Sequence, residues 1–403
     1  MPAPREFVFG AWRAVSVLGV TEILSWGVLF YPPVLTVPLI AADHGWSKSF
    51  AMGGFSVGLF VGGLVSRYVG ALIDRFGGHV VMPCGSLIGT VGLGGLVFAR
   101  NSYSYYGAWM VLGVAMAASL YDPAFATLGR IFGKNARAPI TTLTLAGGFA
   151  STVSWPATQI LIDAIGWRGA YSVYAALLAL VAAPLHAFAL PRERVVQDAG
   201  GKVSGEPLAA AESKPAAVLA PRGLAFLLVA AAFSFYAFVP SALSAQLLAI
   251  LRRFGLDAAT VVAIGMLFGP AQVLARIFEL GFARHVHPLW VARFSVSLLV
   301  AAFAFLLLLH FSAPLAACFA IMYGMANGLM TIARGTVPLA LFGASGYGRL
   351  VGRIGGPFLV VQAVAPVCLS YVAERGSDRM ALLVVAAFAA AALLCFAAMR
   401  SPD

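Results

Sequence analysis

The sequence predicts an all-α membrane protein with twelve transmembrane helices arranged as two pseudo-symmetric six-helix bundles. Composition, the spacing of apolar runs and a polar break halfway along the chain carry that prediction. Of 403 residues, 61% are hydrophobic and only 10% are charged, whereas a soluble domain carries about 25% charged residues. A soluble globule is therefore excluded. The net charge of +11 would point to nucleic acid in a soluble protein. Here the lysines and arginines sit in short loops between apolar runs, so the charge reads as membrane orientation and no nucleic-acid partner is expected.

Apolar runs long enough to cross a bilayer fall near 13–40, 49–70, 80–99, 104–130, 139–162, 169–190, 223–250, 259–282, 289–310, 314–341, 348–373 and 379–399. The stretch Met1 to Ala11 carries only Arg5 and Glu6 and has no small-residue cleavage site, so no signal peptide is read. Residues 191–221 are rich in Ala, Gly, Pro, Lys and Glu without apolar period, and are expected to be a flexible linker between bundles 1–190 and 222–403. With both ends in the cytoplasm, the inner loops, including Arg75, Lys134, Arg137, Lys202, Lys214, Arg222, Arg284 and Arg400, carry roughly twice the cations of the outer ones. The halves also repeat: Ser66-Arg67 through Asp74-Arg75 lies on Ala275-Arg276 through Ala283-Arg284, Phe132-Gly133 on Phe342-Gly343 and Pro156 on Pro366, at a nearly constant offset. Glycines at 53, 54, 58, 62 and 63 in the second helix are expected to allow sliding contacts between the halves. Pro32-Pro33, Pro38, Pro357 and Pro366 mark expected bends. Cys84, Cys318, Cys368 and Cys395 lie inside apolar runs without CxxC spacing and read as small buried residues.

Charges inside the membrane need a partner or a polar cavity, which makes them functional candidates. They are Arg67, Arg130, Arg276, Arg334, Glu22, Asp122 and Glu279. Arg67 and Arg130 are near enough to the surface to snorkel. Glu279 stands three residues beyond Arg276 and can pair with it on one helix face. Glu22, in Thr21-Glu22-Ile23-Leu24-Ser25-Trp26, and Asp122 are candidates for proton coupling, because burial disfavours the charged form of a carboxyl and brings proton exchange toward neutral pH; permanent pairing is the alternative. Arg276 is the candidate substrate contact, since a guanidinium offers a rigid fork of donors that matches a carboxylate. Trp26, Phe30, Tyr31, Tyr121 and Tyr236 are candidates to wall a small pocket around an anion. His285-Val286-His287 lacks further ligands for a metal, and no metal, cofactor, nucleotide loop or hydrolytic motif is read, so enzymatic chemistry is not expected.

Between the second and third runs stands Gly70-Ala71-Leu72-Ile73-Asp74-Arg75-Phe76-Gly77. It resembles the loop between helices two and three of the major facilitator superfamily, whose signature is roughly G-x-L-x-D-R-x-G followed by basic residues; here Gly78 and His79 replace the basic pair. The resemblance covers the whole chain. It implies alternating access by a twelve-helix transporter, a conformational gate at Gly70, Asp74, Arg75 and Gly77, and an Asp74 that faces the start of helix eleven near Tyr347 to Leu350 and stabilises the outward-open state. It also implies that helices four and ten line the cavity, where Asp122 and Arg334 would meet as a gate or a static pair. Asp43-His44-Gly45-Trp46-Ser47-Lys48, followed by Phe55-Ser56, is similar to the corresponding stretch of monocarboxylate porters and bacterial oxalate/formate exchangers, a branch whose helix-eight arginine binds the substrate carboxylate; Arg276 stands at that place. Helix four has no central arginine as drug/proton antiporters do, and helix eleven shows Pro357, Gln362 and Pro366 where exchangers carry a basic residue, so only Arg334 could supply a second cation. The expectation is a monomeric, proton-coupled carrier of a small organic anion in the bacterial cytoplasmic membrane. The alternatives are a carrier of a larger amphipathic solute such as a siderophore, vitamin or drug, and a non-transporting sensor or assembly subunit.

Overall fold

The computed structural model describes residues 10–197, 203–207, 223–283, 285–308 and 312–399. The expectations for 1–9, for Lys202, Lys214, Arg222, Arg284 and Arg400, and for most of the linker lie outside these residues. Among the described residues, eleven helical runs are long and apolar enough to cross a membrane. The longest, Arg137–Ala189, has 53 residues and is two spans, because Gly166 leaves the helical conformation at φ 71°. The chain is a multi-pass membrane protein with twelve spans, and its backbone divides into two compact units. The first comprises Met1–Pro221 with Phe342–Gly356, and the second Arg222–Leu341 with Pro357–Asp403.

In the first unit, span 1 is two helices, Arg13–Leu29 and Pro33–His44. Pro33 opens the second, at a position where its missing N–H leaves nothing unsatisfied. Gly45, at φ 67°, ends span 1, and the Ser47 hydroxyl accepts the Phe50 N–H at 3.1 Å to start span 2, Lys48–Phe76. Thus Gly-Trp-Ser is a stop, a packing residue and a start. Trp46 sits between, stacked on His44 with ring centroids 4.5 Å apart. Asp43 at the end of span 1 accepts the Trp167 indole N–H at 2.7 Å and an Arg168 N–H at 2.8 Å, tying it to the start of span 6. Span 3 is Gly78–Phe98. Span 4 breaks at Leu120 between Ser102–Ser119 and Tyr121–Phe132, a break the continuous apolar run did not predict; Pro123 sits in the first turn of the new helix, where its ring is tolerated. Span 5 begins at Arg137, and span 6 ends in two π-helical turns, Leu178–Ala182 and Leu185–Ala189.

The second unit repeats these devices. Gly255, at φ 93°, follows span 7, Leu224–Arg253, and Asp257 accepts the Thr260 N–H at 3.0 Å to start span 8. The Thr260 hydroxyl and N–H hold the Asp257 carboxyl below the usual carboxylate range. Arg253 forms a two-pronged pair with Asp378 at 2.7 Å for each prong, joining the end of span 7 to the start of span 12, Asp378–Ala398. This is the Asp43–Arg168 tie with its polarity reversed. Span 8 comprises Ala258–Met266, Phe268–Phe278 and the π turn Glu279–Ala283; spans 9 and 10 are Pro288–Leu308 and Ala313–Phe342, and span 11 is Tyr347–Arg375, of which the residues through Gly356 belong to the first unit. Gly133, at φ 55°, and Gly343, at φ 80°, close spans 4 and 10 after the same Phe-Gly pair.

Two expectations are corrected. Cys84, Cys318 and Cys368 are exposed and Cys395 is half-exposed; on the outer wall of a membrane bundle a thiol meets acyl chains, and its apolarity suits that surface as well as a core. Gly53, Gly54 and Gly58 serve packing inside the first unit: a Cβ at Gly58 would lie 2.9 Å from the Trp109 carbonyl, and those at Gly53 and Gly54 would overlap Tyr106 and Tyr105. Glu193–Gln197 and Val203–Pro207 pair as two antiparallel strands, β1 and β2, with Val195 opposite Gly205.

The closest approach of spans 2 and 4 is at Gly113, where a Cβ would lie 3.1 Å from Gly58 Cα and overlap its carbonyl. Backbone cannot yield as a side chain can, so Gly113→Ala is expected to lose about 1–3 kcal/mol and lower the temperature at which monodisperse protein disappears in size-exclusion assays. Gly107→Ala, on the same span with nothing within 4 Å, serves as the control and is expected to match wild type.

Candidate functional site

In the first unit a carboxyl and a group of rings converge where span 1 breaks. Glu22 is 0% exposed, and its Oε2 accepts the Trp26 indole N–H at 2.9 Å, one turn along the same helix. Trp26 lies 4.8 Å from Phe30, 6.0 Å from Tyr31 and 5.0 Å from Tyr121 between ring centroids. Phe55 of span 2, 5.4 Å from Phe30, and Trp155 of span 5, 6.1 Å from Tyr31, complete the cluster. Phe30 and Tyr31 stand at the break between the two helices of span 1, both with their N–H groups on the Trp26 carbonyl. Tyr121, stacked on Phe125 at 5.3 Å, begins the second helix of span 4, and Asp122 follows in its first turn. A helix N-terminus carries partial positive charge, so the Leu120 break gives Asp122 a favourable end inside the membrane. Asp122 is buried and faces Gly355, where any Cβ would overlap Oδ2.

The second unit holds the guanidinium. Arg276 on span 8 is 4% exposed and donates to the Thr331 hydroxyl at 3.4 Å. Thr331 donates to the Asn327 carbonyl at 2.8 Å, and Tyr236 donates to Asn327 Oδ1 at 2.6 Å. Spans 8 and 10 come this close because Gly324 and Gly328 face the backbone of Phe268 and Gln272, with a Cβ at Gly324 only 2.8 Å from the Phe268 carbonyl. Glu279 is buried one turn beyond Arg276, where the helix passes into a π turn. Arg334 is half-buried, its guanidinium 3.6 Å from the centroid of the Phe358 ring, a cation–π contact.

The signature loop builds a contact with the start of span 11, all within the first unit. Gly348 and Arg349 donate their backbone N–H groups to Asp74 Oδ1 and Oδ2 at 2.8 and 2.7 Å. Both are first-turn donors with no partner in their own helix. Gly70 lets the helices meet, since any Cβ there would overlap the Gly348 carbonyl. Arg130 donates to the carbonyls of Ile73, at 3.2 Å, and Asp74; it caps the end of span 2 instead of snorkelling. Arg75 is exposed over Phe76 at 4.9 Å and joins none of these bonds, and Arg67 is exposed over Tyr68 at 4.4 Å. Gly77, at φ 82°, ends span 2. The departure from the signature at Gly78 has a steric reason: a Cβ there would lie 2.6 Å from Thr127 Cγ2.

The sequence reading missed Phe55, Trp155, Asn327 and Thr331. Asn327 carried a usable signal, a polar amide within an apolar run; the other three resemble ordinary lipid-facing or helix-lining residues until the fold is known. Among the described residues no group of three or more His, Cys, Asp or Glu side chains could hold a metal ion. His287 accepts the Leu289 N–H at 3.2 Å at the start of span 9.

Comparison with known proteins agrees with this architecture. The profile of the Major Facilitator Superfamily matches residues 15–356. Monocarboxylate transporter 11 of Mus musculus is 30% identical over 146 residues, which is 36% of this chain and 30% of that protein; the chain thus aligns with less than a third of that relative's length. The crystal structure of the human organic anion transporter MFSD10 (TETRAN) superposes with a TM-score of 0.71 over 98% of this chain and 100% of that one, at 15% identity, a likeness of fold.

The Asp74 contact makes a direct prediction. Asp74→Ala removes both acceptors, and charge-assisted bonds contribute about 1.5–3 kcal/mol, so amide hydrogen exchange at residues 348 and 349 is expected to quicken about tenfold or more. Arg75→Ala should leave it as in wild type. Unchanged exchange in Asp74→Ala would contradict the bonding described.

Proposed function

The chain belongs to the Major Facilitator Superfamily, and on that premise we propose that it moves a small organic anion of monocarboxylate type by alternating access, with a proton. The observation that carries the reading is Arg276, a buried guanidinium held by Thr331 on a polar face with Asn327 and Tyr236. A guanidinium stays charged at every relevant pH and meets a carboxylate with two parallel hydrogen bonds. The similarity to a monocarboxylate transporter supports an anionic substrate. Arg334 on Phe358 is the second cation we assign to substrate.

Glu22 and Asp122 are the proposed proton carriers, being the buried carboxyls of the first unit. Asp74, with Gly70, Arg75 and Gly77, is the proposed gate: two backbone N–H groups and the positive end of span 11 hold the carboxylate in one state and release it in the other. In this reading both termini lie in the cytoplasm, on the excess of Lys and Arg in the inner loops, and the membrane is the bacterial cytoplasmic one. Solute passes without chemical conversion. The ring cluster of Trp26, Phe30, Tyr31, Phe55, Tyr121 and Trp155 favours a second reading, a larger amphipathic solute bound mainly by stacking.

A thermal-shift panel on detergent-purified protein separates the two, with short mono- and dicarboxylates set against bulky aromatic compounds, on wild type and Arg276→Ala. A ligand at a hundredfold excess over its Kd stabilises by about 2.7 kcal/mol, so a bound carboxylate is expected to raise the melting temperature of wild type and leave Arg276→Ala unmoved. Stabilisation by bulky compounds alone, surviving the mutation, would replace the anion reading with the second.

A further inference from the structure

We propose that His186 is the partner of Glu22 in a buried proton-sharing site inside the first unit, bridged by water between Glu22 Oε1 and His186 Nε2. The proposal deepens the proton-coupled reading and rests on it for the use to which the proton is put.

Gly89 of span 3 fixes the levels of the surrounding helices. A Cβ there would lie 2.8 Å from Leu178 on span 6, 3.4 Å from Ala115 on span 4 and 3.4 Å from Leu29 on span 1. About two helical turns from that level toward the Asp74 end bring each helix to Glu22 on span 1, Met82 on span 3, Asp122 on span 4 and His186 on span 6. Two contacts tie these helices together within about a turn of that level: Thr127, beyond Asp122, meets Met82 Sδ at 3.6 Å, and His186 Nδ1 lies 3.2 Å from the Ser86 hydroxyl. Glu22 and Leu29 share one face of span 1, and the last turn of span 6 packs against both spans 1 and 3. His186 and Glu22 therefore converge on one depth from adjacent helices.

The hydrogen bonds assign each atom its role. Ser86 has one hydroxyl hydrogen, and it goes to the Met82 carbonyl at 3.1 Å. The 3.2 Å contact is then His186 Nδ1–H donating to Ser86 Oγ, which leaves Nε2 as the nitrogen with the lone pair. Glu22 Oε2 is taken by the Trp26 indole, which leaves Oε1 to carry a proton. Glu22 Oε1, Ser25 Oγ, Ser119 Oγ and His186 Nε2 are all buried with no partner among the described protein groups. His186 and Ser25, like Glu22, are 0% exposed. Ser25 stands three residues along the Glu22 helix, and Ser119 Oγ lies beside Gly85, 2.6 Å from where its Cβ would be. Buried polar atoms of this kind are ordinarily satisfied by ordered water with two to four partners. A donor at Oε1, an acceptor at Nε2 and two hydroxyls form such a water site.

Pro184 stands between the two π turns, Leu178–Ala182 and Leu185–Ala189, with no N–H to give the Leu180 carbonyl, and His186 lies in the second turn. In the shared-proton state the O–H bond of Glu22 breaks as an N–H bond forms at Nε2, through the water, giving carboxylate and imidazolium without net charge transfer out of the site. Other titratable groups on the packed spans include Asp122 and Tyr121 on span 4, Cys84 on span 3, Tyr171 and Tyr174 on span 6 and, toward the Asp74 end, Arg13 on span 1, Arg67, Asp74 and Arg75 on span 2, His79 on span 3, Arg130 on span 4 and Arg137 on span 5.

The test is infrared titration of the protein in lipid nanodiscs, reading the stretch of the protonated carboxyl. Glu22→Gln should delete a band that Asp122→Asn leaves. In His186→Gln that band should persist to a pH higher by about one unit or more, since sites coupled this strongly titrate as a pair and the amide cannot take the proton. Ser86→Ala, which frees the imidazole from its hold, should move the midpoint in the same direction and decides the matter if His186→Gln does not fold. A band indifferent to Glu22→Gln, or one that titrates as wild type in the histidine and serine variants, overturns the site. Coupled titration without proton-linked uptake in proteoliposomes would keep the site and overturn the transport reading instead.

Discussion

In hydrocarbon no water is at hand to take a hydrogen bond, so every backbone N–H and carbonyl has to be satisfied within the chain, and irregular backbone survives only where protein or a polar cavity covers it. The breaks in this fold obey that rule. The break at residues 30–32 lies under the Trp26 ring cluster, that at Leu120 presents a helix start to Asp122, and the π turn at Glu279 follows Arg276. The interruptions at Leu120 and Glu279 thus lie beside buried charges. A helix start provides unbonded donors at the place where a carboxylate needs them.

The same constraint shapes the Asp74 contact. A carboxylate at a helix N-terminus satisfies donors that would otherwise require water, and it works only if the helices approach closely enough for backbone to meet side chain. Gly70 and Gly348 provide the approach, each lying where the other's backbone would exclude a Cβ. The signature residues are therefore one device: a glycine for distance, an aspartate for the donors and a second glycine, Gly77, to end the helix. Arg75 stands outside that device here, on the exposed side.

Much of the fold was legible because bilayer thickness sets helix length, and apolar runs report it directly. The Gly45-Trp46-Ser47 turn was legible as a motif, and its caps explain why those residues occur together. Breaks within runs were less visible: Leu120 has no breaker beside it, and Pro123 is equally at home in the first turn of a helix. The glycines of span 2 were read as an interface between halves because a small residue permits close approach without naming the partner; tyrosine and tryptophan rings of span 4 fill that space. Charged residues stood out against an apolar background, so Glu22, Asp122 and Arg276 were legible as candidates. Thr331 and Ser86 were missed because a hydroxyl is unremarkable in a membrane helix until the fold places it opposite a donor or acceptor, whereas Asn327 and His186 were polar side chains within apolar runs that the reading passed over.

The central claim is that Arg276 binds a carboxylate that crosses with a proton. The most direct measurement is lumenal pH in proteoliposomes loaded with a pH-sensitive dye, after a short-chain monocarboxylate is added outside, with protein-free liposomes as the baseline for passive entry of the acid. The account predicts acidification above that baseline for wild type and at the baseline for Arg276→Ala. Equal acidification by wild type and Arg276→Ala, or none above baseline across a panel of short carboxylates, would contradict it.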